Sequence, residues 1–310
     1  METDSESNIP ERDGHGAVGH VPVLLKEAID FLAVKRGGTY LDATVGLGGH
    51  SYEIAKRLGA PGHLIGFDKD PAALERAHEK LKALDEPPQI TLIHGSFAEV
   101  GERIAPASLD GLMADLGVSS LQLGDAARGF SFQADGPLDM RMNPMSGDTA
   151  EQVVNHLDER ELADVIYEFG EERRSRRIAR AIVRSRPIST TKQLVDVISA
   201  AARPMKLGHY KYDRIHPATR TFQALRIFVN RELDDLKALL DATPRVLKPG
   251  GRLVVISFHS LEDRIVKDAL RGGKDKYFSV LTKKPATASE EEIDRNPRSR
   301  SAKMRAAERM

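Results

Sequence analysis

Short apolar runs alternate with amphipathic segments from residue 39 onward. Four strands of the buried type are predicted in the runs "TYLDATV", "HLIGFDKD", "QITLIHGSF" and "LDGLMADLGV". The segments "HSYEIAKRL" and "PAALERAHEKLKAL" between them have helical apolar spacing, and Pro71 suits a first helical turn. Buried strands that alternate with helices predict a parallel, doubly wound α/β sheet.

The alternation stops after the fourth strand. From about Arg128 to Phe222 we find no pattern of a buried strand, and three helices are predicted in "ERELADVIYEF", "RRSRRIARAIVRS" and "TKQLVDVISAAA". A further helix runs through "FQALRIFVNRELDDLKALL" to the turn "LKPGG" and a fifth strand, "GRLVVISFHS". Near the C-terminus "YFSVL" predicts a strand, whereas "SAKMRAAER" favours a helix on propensity.

These elements predict an α/β domain interrupted by an all-helical block. The predicted parts are a disordered, polar tail over 1–19, the first part of the α/β domain over 20–127, an inserted helical domain over 128–222, and the second part of the α/β domain over 223–310. The block after the fourth strand is the segment that distinguishes this chain from a plain doubly wound fold.

Composition narrows the class of protein. The 310 residues include no cysteine, so disulfides, thiolate nucleophiles and Cys-ligated metals are excluded. The ten histidines show no metal-binding spacing. No run of about 18 apolar residues predicts a membrane span, and the N-terminus lacks the apolar core of a secretion signal. We expect a cytoplasmic, metal-independent protein that does not enter a membrane.

Charge is segregated along the chain although the formal net charge is zero. Residues 171–226 contain 11 Arg and 3 Lys against 2 Glu and 2 Asp, which is 14 − 4 = +10, so the remainder carries −10. This segment includes most of the predicted helical block. A field of this kind indicates a polyanionic partner for one part of the molecule.

A glycine-rich loop follows the first strand. Gly46, Gly48 and Gly49 come shortly after Asp42, at the edge of a parallel sheet where ligands bind. A tight turn without a ligand would also explain an isolated glycine cluster. Asp68, at the end of the second strand, favours a nucleoside, because a carboxylate there can accept both ribose hydroxyls, although it could also cap a helix.

The spacing of the glycines bears on which nucleoside binds. A dinucleotide fingerprint that begins at Gly46 requires glycine at position 51, where this chain has Ser51. A pyrophosphate therefore fits poorly. S-adenosylmethionine needs no phosphate cradle, and its sites commonly begin from an acidic residue on the first strand, which Asp42 provides.

Asp115 ends the fourth strand in "ADLGVSSLQL". Methylation of an exocyclic base amine needs a hydrogen-bond acceptor at this place, because the lone pair of that nitrogen is delocalised into the ring. A cap or a loop acid would be the ordinary alternative for such a residue. The segment "GVSSL" is not a nucleophile elbow, since Leu121 stands where glycine is required, so a hydrolase is rejected.

Together the motifs resemble those of the bacterial 16S ribosomal RNA cytosine-N4 methyltransferases, the MraW family. The similarity covers nearly everything after His20 and is carried by "HVPVLLKEAI", "DATVGLGGHS", "GFDKDP", "HGSF", "DLGVSSLQL", "RGFSF", "GPLDMRM", "LKPGGRLVVISFHSLEDR" and "NPRSRSAKMRAAER". The chain also has the block "IHPATRTFQALRI", followed by Val229, Asn230, Glu232 and Leu233.

The resemblance implies a class I S-adenosylmethionine-dependent methyltransferase, Rossmann-like, with an inserted helical substrate domain. It implies methylation of the N4 amine of one cytosine in the decoding region of the small ribosomal subunit, with 16S rRNA as the partner; a homodimer is left open. It also carries over cofactor-binding positions, which here are Gly48, Gly49, His50, Asp68, Phe97, Asp115 and Gln122. Asp115 is in addition the predicted catalytic residue.

The segment after the fourth strand departs from other amino-methyltransferases. Those enzymes usually have a D/N/S-P-P-aromatic block, whereas "DLGVSS" lacks both prolines and the ring. The ring that stacks on the cytosine is therefore not assigned. Phe130, Phe132 and Phe258 are candidates, although a core position is the commoner role for each of them.

The basic helix supplies the predicted RNA contacts. Arg173, Arg177, Arg180 and Arg184 follow helical spacing on one face. Tyr210 and Tyr212 place rings among cations, which is compatible with single-strand recognition. Two other functions remain open at this stage: a methyltransferase acting on protein or a small molecule, and a noncatalytic RNA-binding or ribosome-assembly factor that retains a nucleoside pocket.

Overall fold

The computed structural model describes residues 22–202, 216–272 and 276–310. Its centre is a seven-stranded sheet in the order β3-β2-β1-β4-β5-β7-β6. The strands are β1 (Thr39–Asp42), β2 (His63–Asp68), β3 (Gln89–His94), β4 (Leu109–Asp115), β5 (Leu247–Ser257), β6 (Phe278–Val280) and β7 (Lys303–Arg309). Strands β1 to β5 are mutually parallel, and β7 lies antiparallel between β5 and β6.

Thirteen α-helices lie in the described part of the chain. They are α1 (Leu25–Leu32), α2 (Gly49–Leu58), α3 (Pro71–Lys82), α4 (Val100–Arg103), α5 (Ser120–Gly124), α6 (Ala150–His156), α7 (Glu159–Gly170), α8 (Ser175–Arg184), α9 (Thr191–Ala202), α10 (Ala218–Asn230), α11 (Glu232–Val246), α12 (Ser260–Arg271) and α13 (Glu290–Arg295). None of these helices combines the length and apolarity needed to cross a bilayer.

Helices cover both faces of the sheet. Apolar side chains of α1 and α2 pack on one face, where Tyr40 and Ile54 are fully buried. Side chains of α11 and α12 pack on the opposite face together with Leu112. Two apolar layers on one sheet explain why the parallel strands are almost continuously hydrophobic. The predicted doubly wound sheet is confirmed.

The helices α6 to α10 pack around a hydrophobic core of their own between β4 and β5. This core includes Ile178 and Ile182 of α8 and Phe222 and Leu225 of α10. An α/β sheet interrupted by a helical unit was the predicted fold class, and it is confirmed. The boundary predicted at residue 222 falls inside α10, because the apolar side of this helix continues beyond Phe222. The limits of the unit stay a prediction.

Two predicted elements differ in the structure. The helix expected through residues 222–240 is broken at Arg231, whose φ of 53° lies in the left-handed region, so α10 and α11 are separate helices. The helix favoured for residues 301–309 is wrong, because β7 occupies 303–309. Both neighbouring strands pair with this segment, and Met304 and Ala306 are fully buried, so tertiary burial overrides local propensity.

A candidate cofactor and catalytic site

A cavity of about 330 Å³ opens at the carboxyl ends of β1, β2 and β4. Parallel strands direct their carboxyl ends to one edge of the sheet, and the loops that follow form the walls. The structure brings six of the seven predicted cofactor positions to this cavity: Gly49, His50, Asp68, Phe97, Asp115 and Gln122. Gly48 is not part of the wall. The structure thus brings these residues together, and their role in cofactor binding stays a prediction.

The loop between β1 and α2 is held by Asp42, which is buried at the end of its strand. Its Oδ1 accepts the backbone N–H of Thr44 at 3.0 Å, and its Oδ2 accepts the Ser51 hydroxyl at 2.6 Å. Ser51 is the residue that breaks the dinucleotide fingerprint. The structure gives it a role: it fastens the first turn of α2 to the end of β1.

The glycines of this loop serve close packing within the protein. Gly48 has a φ of 72°, and a Cβ built on it would lie 3.2 Å from Ala77 of α3. A Cβ on Gly49 would lie 2.4 Å from Cγ of Pro22. Side chains are therefore excluded at both positions by neighbouring residues. Gly48 faces α3 and Gly49 faces both Pro22 and the cavity.

Asp68 occupies the second strand end, where its two oxygens each accept a backbone hydrogen bond. Oδ2 accepts from Gly46 N at 2.7 Å and Oδ1 from Asp70 N at 2.8 Å. Burial raises the pKa of Asp68 to about 6, against the lowering effect of these two donors. Each carboxylate oxygen retains capacity for another donor. The arrangement suits the paired hydroxyls of a ribose.

Asp115 lies at the end of β4 and lines the cavity. Its Oδ1 is buried and, within the described residues, has no hydrogen-bond partner. Its backbone N–H donates to Oγ1 of Thr44 at 2.6 Å. Burial, followed by the charges of Asp42 and Glu262, raises the pKa of Asp115 well above its ordinary value. A buried acceptor left in this state is typical of a functional site.

His50 stands beside Asp115 and is itself buried. Its Nε2 lies 3.0 Å from the carbonyl oxygen of Val23, which can only accept, so Nε2 donates. Its Nδ1 is then directed at Asp115, 3.6 Å from Oδ2. Nδ1 attracts the Asp115 carboxylate only when the ring also carries a proton on this nitrogen, since Nε2 already holds one.

Phe97 and Gln122 form two further parts of the wall. Phe97 follows Ser96, which caps a short 3-10 turn after β3. Gln122 is buried, and its amide is already used: Nε2 donates to Oδ2 of Asp70 at 3.1 Å, and Oε1 accepts from Ser119 N at 2.9 Å. Gln122 therefore shapes the site by holding its loop to the start of α3.

Several residues of the wall were not singled out by sequence reasoning. Arg226 of α10 donates two hydrogen bonds to the carboxylate of Glu232, from Nε to Oε1 at 2.8 Å and from Nη2 to Oε2 at 2.9 Å. Lys69 and Arg298 also line the cavity. The blocks that contain Glu232 and Arg298 carried the family resemblance, but their spacing gave no sign of a position in the wall.

One group of side chains has the composition of a metal site. Ligand atoms of Glu232, His259 and Glu262 lie within 4.8 Å of one another. Arg226 already supplies a cation to Glu232 here. Burial acts to raise the pKa of Glu262, but hydrogen bonding to His259 and the charges of His259 and Arg226 hold it below its usual range. We assign no metal to this group, and metal independence stays a prediction.

The predicted RNA-binding arginines and base-stacking rings lie in different surroundings. Arg173, Arg177, Arg180 and Arg184 are all exposed, and none of them lines the cavity. Arg180 pairs with Glu159 at 3.1 Å. Of the three candidate rings, Phe130 is buried, Phe132 packs edge-on against Phe222, and only Phe258 lines the cavity. Tyr210 and Tyr212 lie outside the described residues.

An open parallel sheet with a final antiparallel strand, a glycine loop after β1 and acids at the ends of β2 and β4 define the class I methyltransferases. Residues 17–310 match the model of the MraW methylase family. The chain belongs to that family. It is accordingly a methyltransferase, and its cofactor is S-adenosylmethionine.

Relatives of this chain align along nearly its whole length. It is 68% identical to the ribosomal RNA small subunit methyltransferase H of Koribacter versatilis, over 99% of each chain. It is 65% identical to the protein of the same name from Acidobacterium capsulatum, over 94% of this chain and 98% of that one. A solved rRNA methylase from Streptococcus thermophilus has 11% identity and a TM-score of 0.42, covering 94% and 99% of the two chains, and adds nothing to the assignment.

Proposed function

We propose that this protein transfers a methyl group from S-adenosylmethionine to the N4 amine of one cytosine in the decoding region of 16S rRNA. The name shared by its relatives supports small-subunit rRNA as the substrate. The Asp115 carboxylate at the cavity wall carries the choice of an exocyclic amine. The 16S rRNA within the small subunit is the proposed partner, and the homodimer and the cytoplasmic location remain predictions.

The proposed chemistry assigns Asp115 to the amine. S-adenosylmethionine, when bound, supplies an electrophilic methyl group on a positively charged sulfur. The carboxylate of Asp115, whose side chain is 21% exposed and lines the cavity, accepts an N–H of the amine, which draws the delocalised lone pair back to the nitrogen and stabilises the positive charge that grows there. As the nitrogen–methyl bond forms and the sulfur–methyl bond breaks, the nitrogen becomes acidic. A carboxylate with a raised pKa is suited to accept the proton it releases.

The remaining residues of the cavity would hold the cofactor. Asp68 accepts the ribose hydroxyls, Phe97 lies beside the adenine, and Gly49 lets the amino-acid end approach the first turn of α2. His50 lies on the Oδ2 side of the Asp115 carboxylate. Gln122 keeps the loop after β4 in place. A Cβ on Gly48 would face Ala77, and direct contact of Gly48 with the cofactor stays a prediction.

The helical unit between β4 and β5 would hold the RNA. The exposed arginines of α8 and of the turn before it, namely Arg173, Arg177, Arg180 and Arg184, lie within the segment that carries a charge of +10. Such a surface binds phosphates without reading sequence. We accordingly assign backbone contacts to α8 and the chemistry to the cavity of the sheet.

One experiment tests the reaction and the target together. The protein is incubated with labelled S-adenosylmethionine and small ribosomal subunits that lack the modification, and the labelled nucleoside is then mapped. We expect a single site, N4-methylcytidine, in 16S rRNA. Label on another base, on ribose or on ribosomal protein would contradict the proposal, and so would the absence of label with a folded, cofactor-binding protein.

A further inference from the structure

A second cavity of about 260 Å³ adjoins the first one. The two cavities share Val118, Leu123, Arg226 and Phe258 as wall residues. The second cavity extends from this shared wall between the loop after β4, the loop at residues 130–132 and the helix α10. It therefore lies where the helical unit meets the sheet, beside the carboxyl end of β4.

The wall of the second cavity is aromatic with a few polar groups. Its rings are those of Phe130, Phe132, Phe222 and Phe258. Phe132 and Phe222 meet edge to face, with centroids 4.9 Å apart and an interplanar angle of 71°. Thr219, Gln223, Arg226 and His259 contribute the polar atoms. Flat rings with a small number of fixed polar groups suit a planar heterocycle.

We infer that the second cavity receives the target pyrimidine nucleoside after the RNA has released it from its stack. This inference rests on the proposed function. Enzymes that modify a base inside a structured nucleic acid extrude it into a pocket and hold it by stacking and hydrogen bonds. At about 260 Å³ the cavity lies just below the size range of pockets for drug-sized ligands, so it suits one nucleoside and not several.

The shared wall assigns the stacking ring. Phe258 is the only one of the three candidate phenylalanines that lines both cavities. A Cβ built on Gly117, two residues after Asp115, would lie 3.6 Å from Cδ2 of Phe258. A base stacked on Phe258 would thus lie beside the segment that contains the acceptor, Asp115. Phe130 belongs to the core of the helical unit, and Phe132 is partly buried at the edge of that core. Both line the wall of the second cavity that lies away from the first cavity.

A blocking substitution tests the assignment. Thr219 lines the second cavity and does not line the first, so Thr219→Phe fills the former and leaves the cofactor site unchanged. We expect the single-turnover rate of methyl transfer to small subunits to fall at least about 100-fold, with cofactor affinity by titration calorimetry within twofold of wild type. The matched control is Ala200→Phe, which adds the same ring at an exposed position of α9 outside both cavities.

The outcomes separate this inference from the proposed function. If Thr219→Phe transfers methyl groups as fast as Ala200→Phe, the second cavity does not hold the base, whereas N4-methylcytidine made by the wild-type protein still supports the reaction. If the wild-type protein labels something other than cytosine N4, the reaction itself is refuted.

Phe258→Leu provides a second variant that does not depend on filling the cavity. Loss of the ring should lower kcat/KM for the subunit by about ten- to hundredfold, the range for one base stacked on an aromatic side chain. Phe132→Leu, at the far wall, should cost less than Phe258→Leu in the same assay. The reverse order, with both variants folded and binding cofactor, would overturn the assignment of the stacking ring.

Discussion

Three carboxylates meet at one edge of the sheet, one at the end of each of three strands. The charge of Asp42 contributes to raising the pKa of both Asp68 and Asp115, after burial. Keeping such acids ionised in one buried place costs free energy unless a cation joins them. We expect the positive sulfur of S-adenosylmethionine to add to the cations Lys69, Arg226 and Arg298 that line the cavity. The charged cofactor should then bind more tightly than its product, in which the sulfur is neutral.

The ionisation of Asp68 predicts how cofactor affinity depends on pH. Its ordinary pKa is 3.8 and burial raises it to about 6. Ribose hydroxyls bind the ionised form best, so affinity should be full above about pH 7 and fall below pH 6 by up to about tenfold per pH unit. In the cofactor-free fold the sign is opposite: this carboxyl's contribution to the free energy of unfolding decreases as the pH rises from 3.8 towards 6.

Titration calorimetry of the wild type and of Asp68→Ala between pH 5 and 8 checks this. At pH 8 the variant should bind cofactor more weakly by about 1.5–3 kcal/mol, the scale of hydrogen bonds to a charged acceptor. The difference between the two proteins should shrink towards pH 5. Equal affinity at pH 8, with the variant folded, would remove Asp68 from the site.

Asp115→Asn separates chemistry from cofactor binding. The amide keeps an acceptor oxygen and the size of the side chain but removes the negative charge. We expect the turnover rate to fall by roughly 10²-fold or more, the range for one preorganised electrostatic group. RNA binding should stay unchanged, and cofactor binding should weaken modestly. Single-turnover rates at saturating cofactor are the measurement; a rate within threefold of wild type would leave Asp115 as a cofactor ligand only.

At the scale of elements, the helix α8 has one buried apolar face and one exposed basic face. Ile178 and Ile182 are fully buried in the core of the helical unit, while the four predicted arginines face solvent. The apolar face is therefore explained by packing, but the arginine face is not. Its length of ten residues spans about 15 Å, enough to follow several phosphates along one strand.

Charge reversal of Arg173, Arg177, Arg180 and Arg184 to Glu tests the role of this face. Binding to small subunits should weaken, and the slope of log affinity against log salt should become shallower by about 0.7–0.9 for each phosphate that the variant no longer neutralises. Cofactor affinity should not change. The control reverses Lys26, Lys56, Arg76 and Lys82, four exposed cations of the other part of the chain, with the same change in net charge. An equally large drop in affinity for both variants would indicate a general charge effect and contradict a specific surface.

The sequence predicted those elements whose local pattern and burial agree. Asp68 and Asp115 could be placed at one edge because parallel strands require it. The break at Arg231 could not be read, since "FQALRIFVNRELDDLKALL" keeps helical periodicity through it. The strand β7 could not be predicted either, because its alanine and charged residues favour a helix. Only its pairing with β5 and β6 makes this segment a strand. Arg226 reaches the cavity solely because α10 folds back to the sheet.

Across the whole molecule, Asn230 ties the helical unit to the loops around the cavity. It is buried at the end of α10, where Oδ1 accepts from Met142 N at 2.7 Å and Nδ2 donates to Met140 O at 2.7 Å. Its own carbonyl accepts from Nζ of Lys69, the residue after Asp68, at 2.7 Å. One side chain therefore connects the break between α10 and α11 with the segment between α5 and α6, while its backbone reaches the end of β2.

Removal of the Asn230 side chain should lower the stability of the fold. Asn230→Ala leaves buried donors and acceptors unpaired, and we expect the free energy of unfolding to fall by about 2–4 kcal/mol. Denaturant titration gives the value. Asn155→Ala serves as the control, because its Nδ2 donates to Glu151 O and Ile188 O within the helical unit alone. If Asn230→Ala loses no more cofactor affinity than Asn155→Ala, the connection does not reach the cofactor site.

The placement of β7 has a consequence for how the protein folds during its synthesis. Residues 303–309 sit inside the sheet between β5 and β6, and Arg298 and Ser301, just before them, line the cofactor cavity. Glu292 meanwhile accepts the backbone N–H of Leu24 at 2.7 Å, which joins the last tenth of the chain to the first helix. During translation the ribosome delivers these residues after all the other strands of the sheet. A nascent chain therefore stays without its finished cofactor site until residues 298–309 leave the exit tunnel, and products cut short before them carry an unpaired edge at β5 that favours aggregation.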